Sequence, residues 1–311
     1  MMFSTSSFKY TLAALLIGTM SVHADIADNT YKSLIGKSVF SANNQFLQTG
    51  WYEFDKMNGD TPDLSNANFV GSYYFGERGD QWRPFIQGGF GFSEIEQDFV
   101  NLGNGVLGDI DLDSTYWKAG GGINFNPSSD LALVLGASAM WMNTDDGNFH
   151  TYTTVTPKIN TLFNTESDTT LYDMYGSVVF HPTLMSYNTH FEATAHYINI
   201  DYDHGISEVE GYNADLKAGF HTHELTTMMH LPVWAEFYLG ALLLNDDLSD
   251  IAGFDTALNL EASLHWKVGP MIHLFNDAFK ETDISVNLQG TKSNTDFEGW
   301  KASLSCNIIK F

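Results

Sequence analysis

Tyr212 to His221 reads YNADLKAGFH, and its two faces do not mix. Tyr212, Ala214, Leu216, Ala218 and Phe220 form one row, and Asn213, Asp215, Lys217, Gly219 and His221 form the other. Alternation of this kind marks a β-strand, whose successive side chains point to opposite faces. Most strands of soluble proteins run to about 5–6 residues. This one matches the roughly 9–11 residues that a tilted strand needs to cross a bilayer. The pattern recurs at Thr256–Trp266, where Thr256, Leu258, Leu260, Ala262, Leu264 and Trp266 oppose Ala257, Asn259, Glu261, Ser263 and His265. In Tyr187–Tyr197 the polar row is Asn188, His190, Glu192, Thr194 and His196. One face suits lipid, with aromatics near its ends, and the other suits a wet, hydrogen-bonded lumen.

Extended over the chain, the alternation predicts twelve strands, near 44–54, 65–76, 82–93, 114–126, 130–142, 170–181, 186–200, 209–222, 232–244, 255–267, 280–291 and 297–311. The number is even, as a barrel with both termini on one side requires. Gly76–Gln81, Pro127–Ser129 and Pro182–Met185 are short connections, whereas Glu94–Asp113 and Asn143–Thr169 are long. Short periplasmic turns and longer outer loops are the asymmetry of outer-membrane barrels. Gly269–Phe279 is long for a turn and fits less well. The predicted fold class is therefore all-β: a closed transmembrane antiparallel β-barrel of about twelve strands with a short N-terminal helix.

Three domains are expected: a signal peptide over 1–24, a helical or plug segment over 25–43, and the barrel over 44–311. Lys9 is the only charged residue before Asp25, Thr11–Met20 is an apolar core too short to span a bilayer, and Val22-His23-Ala24 has the small-x-small form of a cleavage site. In 25–43, Ile26, Tyr31, Leu34, Ile35 and Val39 recur roughly at helical spacing. Three placements stay open for this segment: inside the barrel as a plug, against the periplasmic rim, or disordered.

Composition excludes several classes. The chain carries 38 acidic and 14 basic residues, a net charge of −24, which argues against nucleic acid as a partner because phosphate contact needs positive charge. The single cysteine, Cys306, has no partner for an internal disulfide, and no Cys/His spacing suggests zinc, so neither metal nor cofactor is expected. The run Gly120-Gly121-Gly122 precedes no helix and so makes no dinucleotide loop. Glu94–Asp113 holds six acids and no base, and Asn245–Asp255 holds Asp246, Asp247, Asp250 and Asp255. Such loops keep neighbours apart by repulsion. They also offer carboxylates to divalent cations shared with an anionic lipid surface.

Phe311 ends the chain, and outer-membrane barrels typically end in an aromatic residue read as an assembly signal. With twelve strands, a short N-terminal helix and the strand Trp82–Phe92 (WRPFIQGGFGF), the chain resembles autotransporter translocator barrels, in the form known as the solitary outer-membrane autotransporter-like β-barrel. The resemblance implies a Gram-negative outer-membrane location, contact with outer-membrane lipid and lipopolysaccharide, and recognition by the barrel assembly machinery. With fewer than 25 residues between signal and first strand, it implies no passenger domain. One departure stands out. Counting back from Phe311, alternate positions hold Ile309, Asn307, Ser305 and Ser303, whereas the apolar row is Trp300, Ala302, Leu304, Cys306 and Ile308. That leaves either a bulge in the last strand or a shifted parity.

The candidate site residues are the polar groups assigned to inward faces: His190, Glu192, His196, Asp215, Lys217, His221, Glu261 and His265. A histidine beside a carboxylate can orient a general base, so three functions are weighed. The first is a non-enzymatic barrel with a structural role or passive passage of small solutes. The second is an outer-membrane phospholipase-like enzyme, for which no G-x-S-x-G places a serine. The third is a soluble secreted β-sandwich. The ordinary role of such residues is to hydrogen-bond one another in a lumen, and the first function is the one expected.

Overall fold

The computed structural model describes residues 26–307 apart from 45–46, 48, 55–60, 78, 103–105, 146–147, 153–156, 185 and 270–281. The expected signal peptide, the expected terminal signal Phe311 and most of Gly269–Phe279 lie outside the described residues. Within them the chain forms a helix α1 over 26–43 and the strands β1 (Gly50–Glu53), β2 (Asp63–Tyr74), β3 (Trp82–Asn101), β4 (Leu107–Ser128), β5 (Leu131–Thr144) and β6 (Asn148–Thr151). There follow α2 (Pro157–Phe163), β7 (Ser167–Phe180), β8 (Thr183–Leu184), β9 (Tyr187–Tyr202), β10 (Val209–His221), β11 (Thr226–Met228) and β12 (Leu231–Leu244). Last come α3 (Asp246–Ala252), β13 (Thr256–Lys267), β14 (Asp283–Ser293) and β15 (Glu298–Asn307).

Twelve of these strands close a barrel. Each pairs antiparallel with its neighbours in the order β1, β2, β3, β4, β5, β7, β9, β10, β12, β13, β14, β15, and β15 returns to β1 through Trp51↔Trp300. β6, β8 and β11 are short additions to β4, β9 and β12. One rim carries brief turns after β2, β4 and β7 and is called the turn end. The other carries the connection with α2, which is the longest, and the one with α3, and is called the loop end; the long connection 268–282 lies at the turn end.

The strands begin and end close to where alternation places them, with two corrections. The first concerns 94–113, expected as a loop. β3 and β4 run on through it as a hairpin, paired from Glu94↔Asp113 to Asn101↔Leu107 with a bulge between Gln97 and Val100. The acids there all point outward, while Ile95, Val100, Ile110 and Leu112 point inward and are buried. Alternation therefore persists, but its outward row changes from aromatic to acidic beyond Phe92 and Thr115. At the bulge Phe99 has φ 51°, and Asp109 accepts its backbone N–H at 3.0 Å and the Tyr152 hydroxyl at 2.8 Å. These two donors, the backbone one first, hold the Asp109 carboxyl below the usual carboxylate range. The second correction concerns 44–54. The strand starts only at Gly50, because Thr49 turns the chain inward at φ 52° and Asn44 is buried inside the wall. The last strand shows no bulge through its described pairing. Trp300 and Leu304 point outward, as the apolar row requires.

The lumen is filled by α1. From Leu34 to Asn44 every residue is buried, polar and apolar alike. At about 1.5 Å per residue the helix is about 27 Å long. Tyr31 bonds Ser167 at the outer start of β7, and Lys32 donates to Ser207 in the β9–β10 connection at 3.1 Å. The helix thus starts at the loop end and finishes near mid-barrel. The strand ends at the turn end agree with an even-stranded barrel, but the chain enters from the opposite rim. The start of the helix and the end of β15 at Asn307 lie at opposite rims. Leu34, Ile35, Val39 and Phe40 join Ile110, Leu171, Ile198, Leu242 and Phe163 in one buried cluster confined to the loop half.

Gly36 sets how closely the helix seats. A Cβ there would fall 2.5 Å from Ile251 Cγ2 on α3 and 2.7 Å from the Tyr202 hydroxyl. Overpacking of this kind costs about 1–3 kcal/mol. Gly36→Val is expected to unseat α1, so that protease trims the helix from barrels that still migrate as folded on unboiled gels. A helix as protected as in the unmodified protein would contradict this seating.

Candidate functional site

Two clamps and a polar chamber succeed one another down the lumen. At the loop end α3 presents its last carbonyls to α1. Asn245 caps its start by accepting from Leu248 N–H, and Gly253 ends it at φ 82°. Lys37 Nζ donates to Ile251 O at 2.5 Å and to Ser33 Oγ at 2.7 Å. A cation at a helix C-terminus complements the helix dipole.

At mid-barrel the end of α1 meets charge. Asn43 Nδ2 donates to Asp173 Oδ2 at 3.1 Å, and Lys118 Nζ donates to Asn43 Oδ1 at 2.7 Å. Asn44 Nδ2 reaches Asp215 Oδ1 at 3.5 Å. His196 lies between the same two aspartates, with Nδ1 2.9 Å from Asp173 Oδ1 and Nε2 3.3 Å from Asp215 Oδ2. Asp173 and Asp215 are each about 2 % exposed. The strand pairing explains the meeting: Asp215 stands opposite Thr194, and Asn213 opposite His196, so their inward rows interleave. Charges buried to this extent need partners on every side, and the two asparagines bring the plug into that shell.

Below the plug the inward face stays polar to the turn end. His190 Nε2 is 3.2 Å from Glu192 Oε2. Lys217 Nζ donates to Glu261 at 2.8 Å and sits 4.0 Å from the centre of the Tyr238 ring. The Tyr238 hydroxyl donates to Glu236 at 2.7 Å, and His221 Nδ1 lies 3.0 Å from the same carboxylate. His265 Nε2 is 3.0 Å from Ser263 Oγ and 3.3 Å from Glu236 Oε2, with Asp283 Oδ1 3.7 Å from Nδ1.

All eight candidate residues therefore lie on inward faces, in four groups. His196 and Asp215 contact each other at mid-barrel. His190 and Glu192 form a pair, as do Lys217 and Glu261. His221 and His265 converge on Glu236. The sequence reading missed Glu236, Asp173, Asp283 and Lys118, although Asp173 falls in the row Leu171, Asp173, Tyr175, Ser177 that alternation alone defines. It also missed Asn43 and Asn44, whose role depends on the placement of the helix. Ser263, His265 and Asp283 have the composition of a hydrolase triad but not its geometry. Glu236 shares the nitrogen that a serine proton would need, and 3.7 Å is too long for the orienting hydrogen bond.

Beyond the aromatic row at the loop end, Glu94, Asp111 and Asp113 bring carboxylate oxygens within 4.8 Å of one another. Burial first, and neighbouring acids next, hold Glu96 and Asp113 above the usual carboxylate range.

The arrangement has counterparts among solved structures. The chain is similar to the transport unit of the autotransporter AIDA-I from Escherichia coli, with a TM-score of 0.51 and 12 % identity, over 90 % of this chain and 98 % of that one. It is similar to the translocator domain of the autotransporter NalP from Neisseria meningitidis, with a TM-score of 0.51 and 10 % identity, over 83 % and 84 %. At such identities the likeness is one of fold, and the chain has the fold of autotransporter translocator barrels. No protein-family model and no curated protein matches the sequence.

Removing one partner from a buried ionic group costs about 3–5 kcal/mol. His196→Ala leaves Asp173 and Asp215 facing each other across the vacated space, and its free energy of unfolding, from denaturant titration, is expected to fall by that amount. A change under about 0.5 kcal/mol, as at an ordinary surface site, would show that the mid-barrel group holds nothing.

Proposed function

We propose that this chain is a self-plugged outer-membrane barrel of translocator type that holds its own N-terminal segment at the outer surface. The observation that carries the reading is the direction of α1, whose first residues sit among the loop-end connections beside Ser167 and Ser207. Long connections mark the outer face of such barrels, so the chain enters the lumen from outside and joins the wall at Gly50. The exposed outward row of Phe69, Phe90, Trp117, Leu135, Leu239, Leu260 and Leu288 supports a lipid environment. A bilayer core admits only closed barrels or helices, because unpaired backbone groups there cost several kcal/mol each.

In this reading the barrel is closed in its resting state. Passive passage of small solutes requires α1 to leave, and the buried cluster of the loop half resists that. Export with a cleaved signal peptide and assembly from the periplasm belong to the same proposal. Lipid and lipopolysaccharide are its surroundings: Glu94, Glu96, Asp111 and Asp113 stand just beyond the aromatic row, where divalent cations bridge carboxylates to lipid phosphates. Among the described residues, Ser263 does not serve the lipid-hydrolase alternative as a nucleophile, since it faces the lumen and shares its histidine with Glu236.

Cysteine labelling tests the direction. In a Cys306→Ser background, Asn29→Cys places a thiol at the exposed start of α1, and Ser129→Cys places one in a turn. A membrane-impermeant maleimide applied to intact cells is expected to label the first and spare the second. Labelling of Ser129→Cys alone would reverse the assigned orientation.

A further inference from the structure

We propose that His181 and His190 form a transition-metal site at the turn end of the lumen, with Glu192 as the carboxylate that fixes the ligand tautomer. β7 and β9 pair through Phe180↔Phe191, and one step further along the hairpin places His181 opposite His190. The two Nδ1 atoms face each other at 3.3 Å, with the rings tilted by 54° and their centres 4.7 Å apart. Zinc binds imidazole nitrogen at about 2.0–2.1 Å in tetrahedral geometry, so two of its ligands stand about 3.3–3.4 Å apart. The pair has that spacing without any movement of the wall.

The chemistry of His190 agrees. Its other nitrogen, Nε2, is 3.2 Å from Glu192 Oε2, and Thr194 Oγ1 donates to Oε1 of the same carboxylate at 3.3 Å. A proton on Nε2, held by Glu192, leaves the Nδ1 lone pair directed at His181. Metal-bound histidines characteristically donate their second ring nitrogen to a carboxylate in this way. The Tyr238 ring packs edge-on against His190 with centres 5.4 Å apart and fixes the ring plane. His181 is exposed, which gives ions access from the rim and leaves the remaining coordination positions to water. Imidazole ligands select late first-row divalent ions over calcium and magnesium.

The site is independent of the plug and of the acidic cluster at the opposite rim, so its test does not share their fate. The full barrel, folded in detergent and stripped with chelator, is titrated with Zn²⁺ alone by calorimetry and with Co²⁺ alone by visible absorption. One ion per chain is expected. His181→Ala and His190→Ala should each abolish binding, and Glu192→Gln should weaken it by about tenfold or more. A His150→Ala variant, which removes an exposed histidine at the opposite rim, should bind as the unmodified protein does. Retained migration as a folded band on unboiled gels shows that each variant is still a barrel. No stoichiometric binding in the unmodified protein, or full binding in a His181→Ala, His190→Ala variant, would overturn the proposal, and an unchanged affinity in Glu192→Gln would overturn the role of Glu192.

Discussion

The wall of this barrel must satisfy two solvents at once, and the rest of the structure follows from that constraint. Lipid outside allows no unpaired backbone, which forces closure of the twelve-stranded sheet. Inside, the requirement changes along the strand. In the turn half the inward row is polar and the outward row apolar, as His190, Glu192 and Lys217 against Phe191 and Leu216 illustrate. In the loop half of β3 and β4 the inward row becomes apolar and the outward row acidic. The upper barrel is thus built like a soluble protein and the lower barrel like a membrane protein, within continuous strands.

An apolar inner face with nothing against it would be as costly as an unfilled core. The helix α1 is what fills it: Tyr31, Leu34, Ile35, Val39 and Phe40 complete a cluster that the strands alone leave open. Where that cluster ends the polar lumen begins, and the last residue of the helix and the one after it are both asparagines. Asn43 and Asn44 contact Asp173 and Asp215 and carry the chain from an apolar to an ionic environment. The plug, the wall and the mid-barrel charges are therefore one cooperative unit.

Alternation made the barrel legible because one polar and one apolar row persist for a full crossing in strands such as β10 and β13. It also placed the inward histidines and carboxylates on the correct face. Partnership was less legible. Asp215 meets His196 because of a cross-strand register that no single segment contains, and Glu261 pairs with Lys217 rather than with a histidine. The continued hairpin at 94–113 was hidden because acids in its outward row resemble a loop when read one segment at a time. The late start of β1 was hidden for a different reason: Leu47 and Thr49 suit a strand, but the chain is drawn into the lumen by the plug that precedes it.

The most direct test of the plug as part of the folded core is amide hydrogen exchange on the assembled barrel, resolved by residue. If α1 completes the core of the loop half, amides of 34–44 exchange as slowly as those of β7 and β9, near the limit set by global unfolding. Exchange of 34–44 on the timescale of the exposed connections, with the strands still protected, would contradict it.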